Sequence, residues 1–202
     1  MNTTSSELEA ARSSAPHAWI ETYTGRKFWP LAPSPDDIDI FDIAQALSMT
    51  CRYKGHTNEF YSVAEHSVLL AEKLPPHLRL RGLLHDAHEA YSPFGDVPRP
   101  LKSARPEIAA MVKEAEGNLD AAIAARFGLS LPIADWLVKE YDTRILHDER
   151  RQLMSRTGFE WALPDMRPLG VVCRRWAPFT AREFFLMAFD EAVKSARMTE
   201  AG

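Results

Sequence analysis

The sequence is poor in cysteine: two residues in 202, Cys51 and Cys173, with no C-x-x-C spacing. That scarcity excludes a disulfide framework and points to a reducing compartment. Positive charge is not in excess either. The formal net charge is −4, which argues against broad attraction to nucleic-acid polymers or anionic membranes and leaves phosphate recognition to local groups. No apolar run reaches membrane-spanning length, and the N-terminus lacks the apolar stretch of a signal peptide. A soluble cytoplasmic protein is the expectation.

What is present is an ordinary globular composition, 46% hydrophobic and 26% charged, in a length suited to one substantial domain. Residues 1–15 are polar and rich in Ser, Thr and Glu, and read as a mobile tail ahead of a single domain spanning 16–202. Residues 19–29 alternate aromatic and polar side chains around Gly25, which predicts a small β-hairpin closed by Pro30, Pro33 and Pro35. A short helix follows over 36–49. Ser62 and Glu65 have capping-box spacing and open a helix whose inward face carries Val63, His66 and Leu70. Residues 106–127 form a long amphipathic helix with Ile108, Met111, Val112, Ala115, Leu119, Ala122 and Ile123 on one stripe. Residues 133–154 form another, and there Asp142 shares the face of Val138, Ile145 and Leu146. A carboxylate on that stripe needs a partner: Arg144, Arg81 or a metal ion. After an irregular stretch over 158–177, Thr180 and Glu183 form a second capping box, opening a helix through Phe184, Phe185, Phe189 and Val193. The fold class expected is all-α with a small N-terminal β-hairpin.

The chemistry concentrates around His85. Leu80, Leu83, Leu84 and Ala87 recur at helical spacing, so His85 and Asp86 are expected within a buried or half-buried helix. Burying a neighbouring imidazole and carboxylate is costly unless each finds a partner, and a metal ion is one such partner. Adjacent helical residues point about 100° apart, so the remaining ligands must come from other helices. Glu89, three residues after Asp86 and four after His85, falls on the same helical face. Gly82, one turn earlier, allows a second helix or a substrate to come close. Asp96, Arg99 and Lys102 follow in a segment stiffened by Pro93, Pro98 and Pro100, which can aim cationic groups at a phosphate.

The order His66, His85-Asp86, Asp142, together with Arg52-Tyr-Lys-Gly-His-Thr and Pro98-Arg-Pro-Leu-Lys102, resembles the HD-domain superfamily of metal-dependent phosphohydrolases. Within it the chain is similar to the branch of bacterial 5′-deoxynucleotidases, phage dATP triphosphohydrolases and small prophage-encoded phosphohydrolases. The resemblance runs from about residue 19 to at least 142 and implies an HD-domain helical bundle. It implies one divalent transition metal ion (Mn, Co, Fe, Ni or Zn, with Mg also admissible) held by His66, His85, Asp86 and Asp142. It makes Glu89 and Asp96 the catalytic acidic residues, although the segment between them is longer than the family's. Arg52 becomes a phosphate- or sugar-contacting arginine and Lys102 a phosphate-binding lysine. Tyr53 stands where relatives place an aromatic beside the nucleoside, with core packing as the alternative. His56 is a substrate contact or a loop residue, and His88 faces away from the metal.

The activity implied is hydrolysis of a (deoxy)nucleotide at phosphorus, converting a nucleoside 5′-monophosphate to nucleoside and phosphate. The alternatives are a dNTP triphosphohydrolase releasing triphosphate and a nucleotide-binding regulator without turnover. The partners implied are a small nucleotide substrate, no nucleic-acid polymer and no membrane. A homo-oligomer is expected, with residues 19–29 and 161–176 as candidate contact surfaces.

Overall fold

The computed structural model of the protein describes residues 5–95, 97–98 and 104–200. In chain order its elements are α1 (Ser5–Ser14), β1 (Ile20–Glu21), β2 (Lys27–Phe28), α2 (Ile40–Met49), α3 (Val63–Lys73), α4 (Arg79–Leu84), α5 (Pro106–Phe127), α6 (Trp136–Leu153) and α7 (Pro178–Glu200), with 3-10 turns between. Helix accounts for 59% and strand for 3%, which meets the all-α expectation. No helix among the described residues is long and apolar enough to cross a membrane. The chain divides into two compact units, each built from two separate stretches: Met1–Ile43 with Ala87–Leu131, and Ala44–Asp86 with Pro132–Gly202.

In the first unit, the segment expected as a mobile tail carries α1. A ten-residue helix is marginal on its own. Arg12 anchors it: the guanidinium donates to the Ala32 carbonyl at 2.8 and 3.1 Å, pairs with Asp37 at 2.5 Å and lies over the Trp29 ring. The expected hairpin is present, with Ile20 opposite Phe28 and Glu21 opposite Lys27. Its turn needs the left-handed φ of +77° at Gly25. Asp42 fixes the turn by accepting the Thr24 backbone N–H at 2.7 Å and its hydroxyl at 3.0 Å. Helix α2 starts later than expected, because residues 35–37 form a 3-10 turn capped by Ser34. Helix α5 has the bounds read from sequence, opening on Pro106 and closing on Gly128 at a φ of 67°. Its packed stripe runs from Val112 to Ala124, whereas Ile108 and Met111, expected on it, are exposed.

The second unit is organised on α3. Ser62 accepts the Glu65 backbone N–H at 3.1 Å and so starts the helix where the sequence placed it. Three more helices, α4, α6 and α7, pack against the α3 region. Gly82 of α4 sits where a Cβ would fall 2.9 Å from Leu70 on α3 and 2.2 Å from Leu74 just past its end, so the glycine serves helix packing. Tyr61, Leu69, Leu70, Val138, Ile145, Leu153 and Val171 form the core. Asp135 caps α6 by accepting the N–H groups of Leu137 and Val138, both at 2.9 Å. Helix α7 opens at Pro178 rather than at the expected Thr180 box, since proline at the first helical position sacrifices no hydrogen bond. Between α6 and α7 runs a strap without regular structure, and α6 side chains satisfy its backbone: Asp148 accepts from Gly170 at 2.7 Å, and Gln152 bonds both Val171 and Cys173.

Candidate metal centre

The four residues expected to bind metal all lie in the second unit. His66 comes from the end of the first turn of α3 and Asp142 from the second turn of α6. The helix expected to contain His85 and Asp86 ends just before them, at Leu84. His85 Nδ1 bonds the Gly82 carbonyl at 2.7 Å, and this local side-chain bond competes with continuation of the helix. A 3-10 turn, Ala87–Ala90, follows.

The geometry of the imidazoles is informative. A carbonyl oxygen can only accept, so His85 Nδ1 carries the proton that bonds Gly82. His66 Nδ1 likewise points at a carboxylate, Glu149 Oε1, at 2.6 Å. Both rings therefore turn Nε2 inward, and the two Nε2 atoms are only 3.3 Å apart. Asp142 Oδ1 is 3.3 Å from His66 Nε2 and 3.9 Å from His85 Nε2. Asp86 Oδ2 is 3.2 Å from His85 Nε2 and 3.8 Å from His66 Nε2. Two imidazole nitrogens and two carboxylates converging in this way need positive charge among them. Ligand atoms of His66, His85 and Asp142 all fall within 4.8 Å of one another, a spacing that a single cation fits. The histidine side chains are almost wholly buried, while Asp86 and Asp142 are 19% and 17% exposed, which leaves the carboxylate side open to solvent.

Electrostatics point the same way. Burial alone would lower the His85 pKa, but Asp86 and Asp142 outweigh it and hold the value well above the ordinary histidine range. Burial would raise both aspartates, yet the histidines keep Asp86 and Asp142 well below the usual carboxylate range. With both imidazoles neutral, Asp86, Asp142 and Glu149 against Arg52 leave a formal charge of −2, which one divalent ion cancels. The residues fit a divalent metal.

Glu149 was not anticipated from sequence. It is wholly buried on α6, two turns beyond Asp142, and the same-face spacing of those two acids was its one visible signal. Burial would raise its pKa, but Arg52 and His66 bring it down to about 2. Arg52 bridges two acids, with Nη2 at 3.3 Å from Glu149 and Nη1 at 3.5 Å from Asp86. Tyr53 bonds Glu149 through its hydroxyl, and Trp161 approaches its ring with centroids 5.5 Å apart. Tyr61, also missed, donates to Glu149 at 2.9 Å. Asp142 meets the histidines, while Arg144 pairs with Glu140 and Arg81 donates to the Pro132 carbonyl.

His56, His88 and Glu89 lie in turns rather than on the helices. His56 is exposed at the end of the Arg52–Gly55 turn. Glu89 lies in the Ala87–Ala90 3-10 turn of the first unit rather than on a continuation of α4. His88 bonds Asp120 at 3.0 Å in that same unit. Asp96 and Lys102 fall outside the described residues, as does Arg99.

Comparison with known proteins finds the chain 40% identical over 144 residues to the uncharacterized protein YfdR of Escherichia coli (strain K12), covering 71% of this chain and 77% of that protein. It is also 40% identical over 121 residues to an uncharacterized protein of Rhodobacter capsulatus, covering 55% of this chain and 59% of that protein. No family model matches.

Proposed function

We propose that this chain, which belongs to the family of Escherichia coli YfdR, hydrolyses the phosphate ester of a small (deoxy)nucleotide with the help of one divalent metal ion. The observation that carries this reading is the pair of inward Nε2 atoms 3.3 Å apart, flanked by Asp86 and Asp142. His66, His85, Asp86 and Asp142 would hold the ion, which when bound supplies Lewis acidity toward a phosphoryl oxygen and a water of lowered pKa. Two nitrogens and two carboxylates suit Mn, Co, Fe, Ni or Zn better than a hard cation such as Ca.

Arg52 supports the phosphate assignment. Its Nε–H is buried without a hydrogen-bond partner, and a phosphate oxygen would supply one in a charge-assisted bond. Glu89, on resemblance to the HD-domain phosphohydrolases, is the acid–base residue, with Asp96 and Lys102 as its companions. Local cations on a chain of net charge −4 favour a small anion over a polymer, and a nucleoside 5′-monophosphate is the preferred substrate.

A metal-by-substrate panel tests the proposal: metal-free protein is reloaded with each divalent ion and given dNMPs and dNTPs. Metal-dependent release of inorganic phosphate from dNMPs is expected, and Asp86→Ala should abolish it while the protein stays folded. Triphosphate released from dNTPs would replace the substrate assignment. Tight nucleotide binding without hydrolysis under any metal would overturn the enzymatic reading.

A further inference from the structure

The carboxylate of Glu149 is wholly buried and surrounded by donors on both oxygens. Oε1 takes His66 Nδ1–H at 2.6 Å and the Tyr61 hydroxyl at 2.9 Å. Oε2 takes Arg52 Nη2–H at 3.3 Å and the Tyr53 hydroxyl. Four donors fill the acceptor capacity of one carboxylate, so it has none left for a proton of the reaction. Nor is it placed as a ligand, since it faces the nitrogen of His66 that points away from His85.

The loop bearing Arg52 depends on the same group. Tyr53 and Lys54 both have a φ of 54° and Gly55 one of 76°, so three successive residues turn left-handed. Side chains with a Cβ avoid that region unless their surroundings impose it. Here Arg52 and Tyr53 are tied to one oxygen of Glu149, and these ties hold the turn.

Resting on the phosphohydrolase reading above, we infer that Glu149 is a positioning residue that links the two ends of the site through its two oxygens. Oε1 fixes His66 so that Nε2 faces the metal position, and Oε2 fixes Arg52 and Tyr53 at the phosphate position. Glutamine at 149 keeps the shape but must turn its NH2 toward one set of donors, so one end of the site loses its acceptor. The cost falls on orientation rather than on volume.

The test uses Co²⁺ as the probe on full-length wild type, Glu149→Gln and Tyr53→Phe. The readouts are the Co²⁺ dissociation constant, the visible absorption of the Co²⁺-loaded protein, and KM and kcat with a nucleoside monophosphate at saturating Co²⁺. Glu149→Gln is expected to weaken Co²⁺ binding by about 10–100-fold, the usual effect of losing a partner behind a ligating histidine. It should also shift the Co²⁺ absorption and keep KM raised after saturation. Tyr53→Phe, which disturbs only Oε2, should raise KM while Co²⁺ affinity and absorption stay at the wild-type values. A Glu149→Gln protein that is less stable yet matches wild type in Co²⁺ affinity, absorption and KM would overturn the inference. Should that variant fail to fold, Tyr61→Phe carries the test: it deletes one donor from Oε1, and unchanged Co²⁺ affinity would count against the link. A wild type that takes up no Co²⁺ overturns the metal reading itself. A wild type that binds Co²⁺ without hydrolysis leaves affinity and absorption to decide the role of Glu149.

Discussion

Glu65 Oε2 accepts the backbone N–H of Trp176 at 2.7 Å, and its Oε1 accepts those of Arg174 and Arg175 at 2.5 and 2.9 Å. One buried side chain on α3 thus fastens the end of the strap. Arg175 has a φ of 58° there, a conformation its neighbours must hold in place. Glu65→Gln should cost about 2–3 kcal/mol, because one carboxylate oxygen becomes an NH2 that faces N–H donors. The urea midpoint is expected to fall. Trypsin should also cut at Arg174 and Arg175 of the native variant faster than in wild type, since local opening of the strap becomes easier. Unchanged cleavage kinetics would show that the strap is held by something else.

Gly82→Ala probes the contact between α3 and α4. The added methyl would meet the buried side chains of Leu74 and Leu70 at 2.2 and 2.9 Å. Overpacking of this kind costs about 1–3 kcal/mol, while alanine recovers about 1 kcal/mol of helix propensity. The clash wins by a small margin, so the urea midpoint should drop modestly with an unchanged m-value. A midpoint at or above wild type would mean that the helices stand further apart than described.

Much of this was legible in the sequence, and the misses share a cause. Residues 106–127 carried a clear hydrophobic period, so α5 could be bounded closely. Asp142 stood out because a carboxylate on an apolar stripe lacks a local excuse. Glu149 did not, since Asp148, Arg150 and Arg151 around it make the end of α6 look like a solvated charged face. Its partners Arg52, Tyr53, Tyr61 and His66 lie more than eighty residues earlier in the chain. Glu65 fails in the same way: the spacing promised a reciprocal cap with Ser62, but three distant N–H groups outbid that local bond. Local chemistry also ended α4 early, through the bond from His85 to Gly82.

The two thiols should separate cleanly. Cys173 is buried against the core, and burial, reinforced by the charges of Glu149 and Glu65, pushes its pKa from 9.0 up to about 12. That shift leaves roughly a thousandfold less thiolate at neutral pH, and the thiolate is the reactive form. Cys51 is only half-buried. One equivalent of a maleimide or disulfide reagent should therefore react quickly with the native protein, at Cys51. The second equivalent should wait for denaturant. Two fast equivalents would place Cys173 at the surface.

Acid sensitivity follows from the sign of the Glu149 shift. Its folded pKa of about 2 lies below the ordinary 4.5, so the ionised form contributes stability that is fully present above 4.5 and lost as pH falls through 2. The whole effect is on the order of 3 kcal/mol, with roughly 2 kcal/mol gone by about pH 3. Asp86 and Asp142, held low by the histidines, act with the same sign and steepen the loss. Urea midpoints of chelator-treated protein, taken from about pH 6 down to about pH 3, should fall steeply in wild type. Glu149→Gln starts lower but has one fewer proton to take up, so its curve should be flatter by that share. Parallel curves for the two proteins would mean that Glu149 is not ionised in the folded state, and the donors around it would then need a different acceptor.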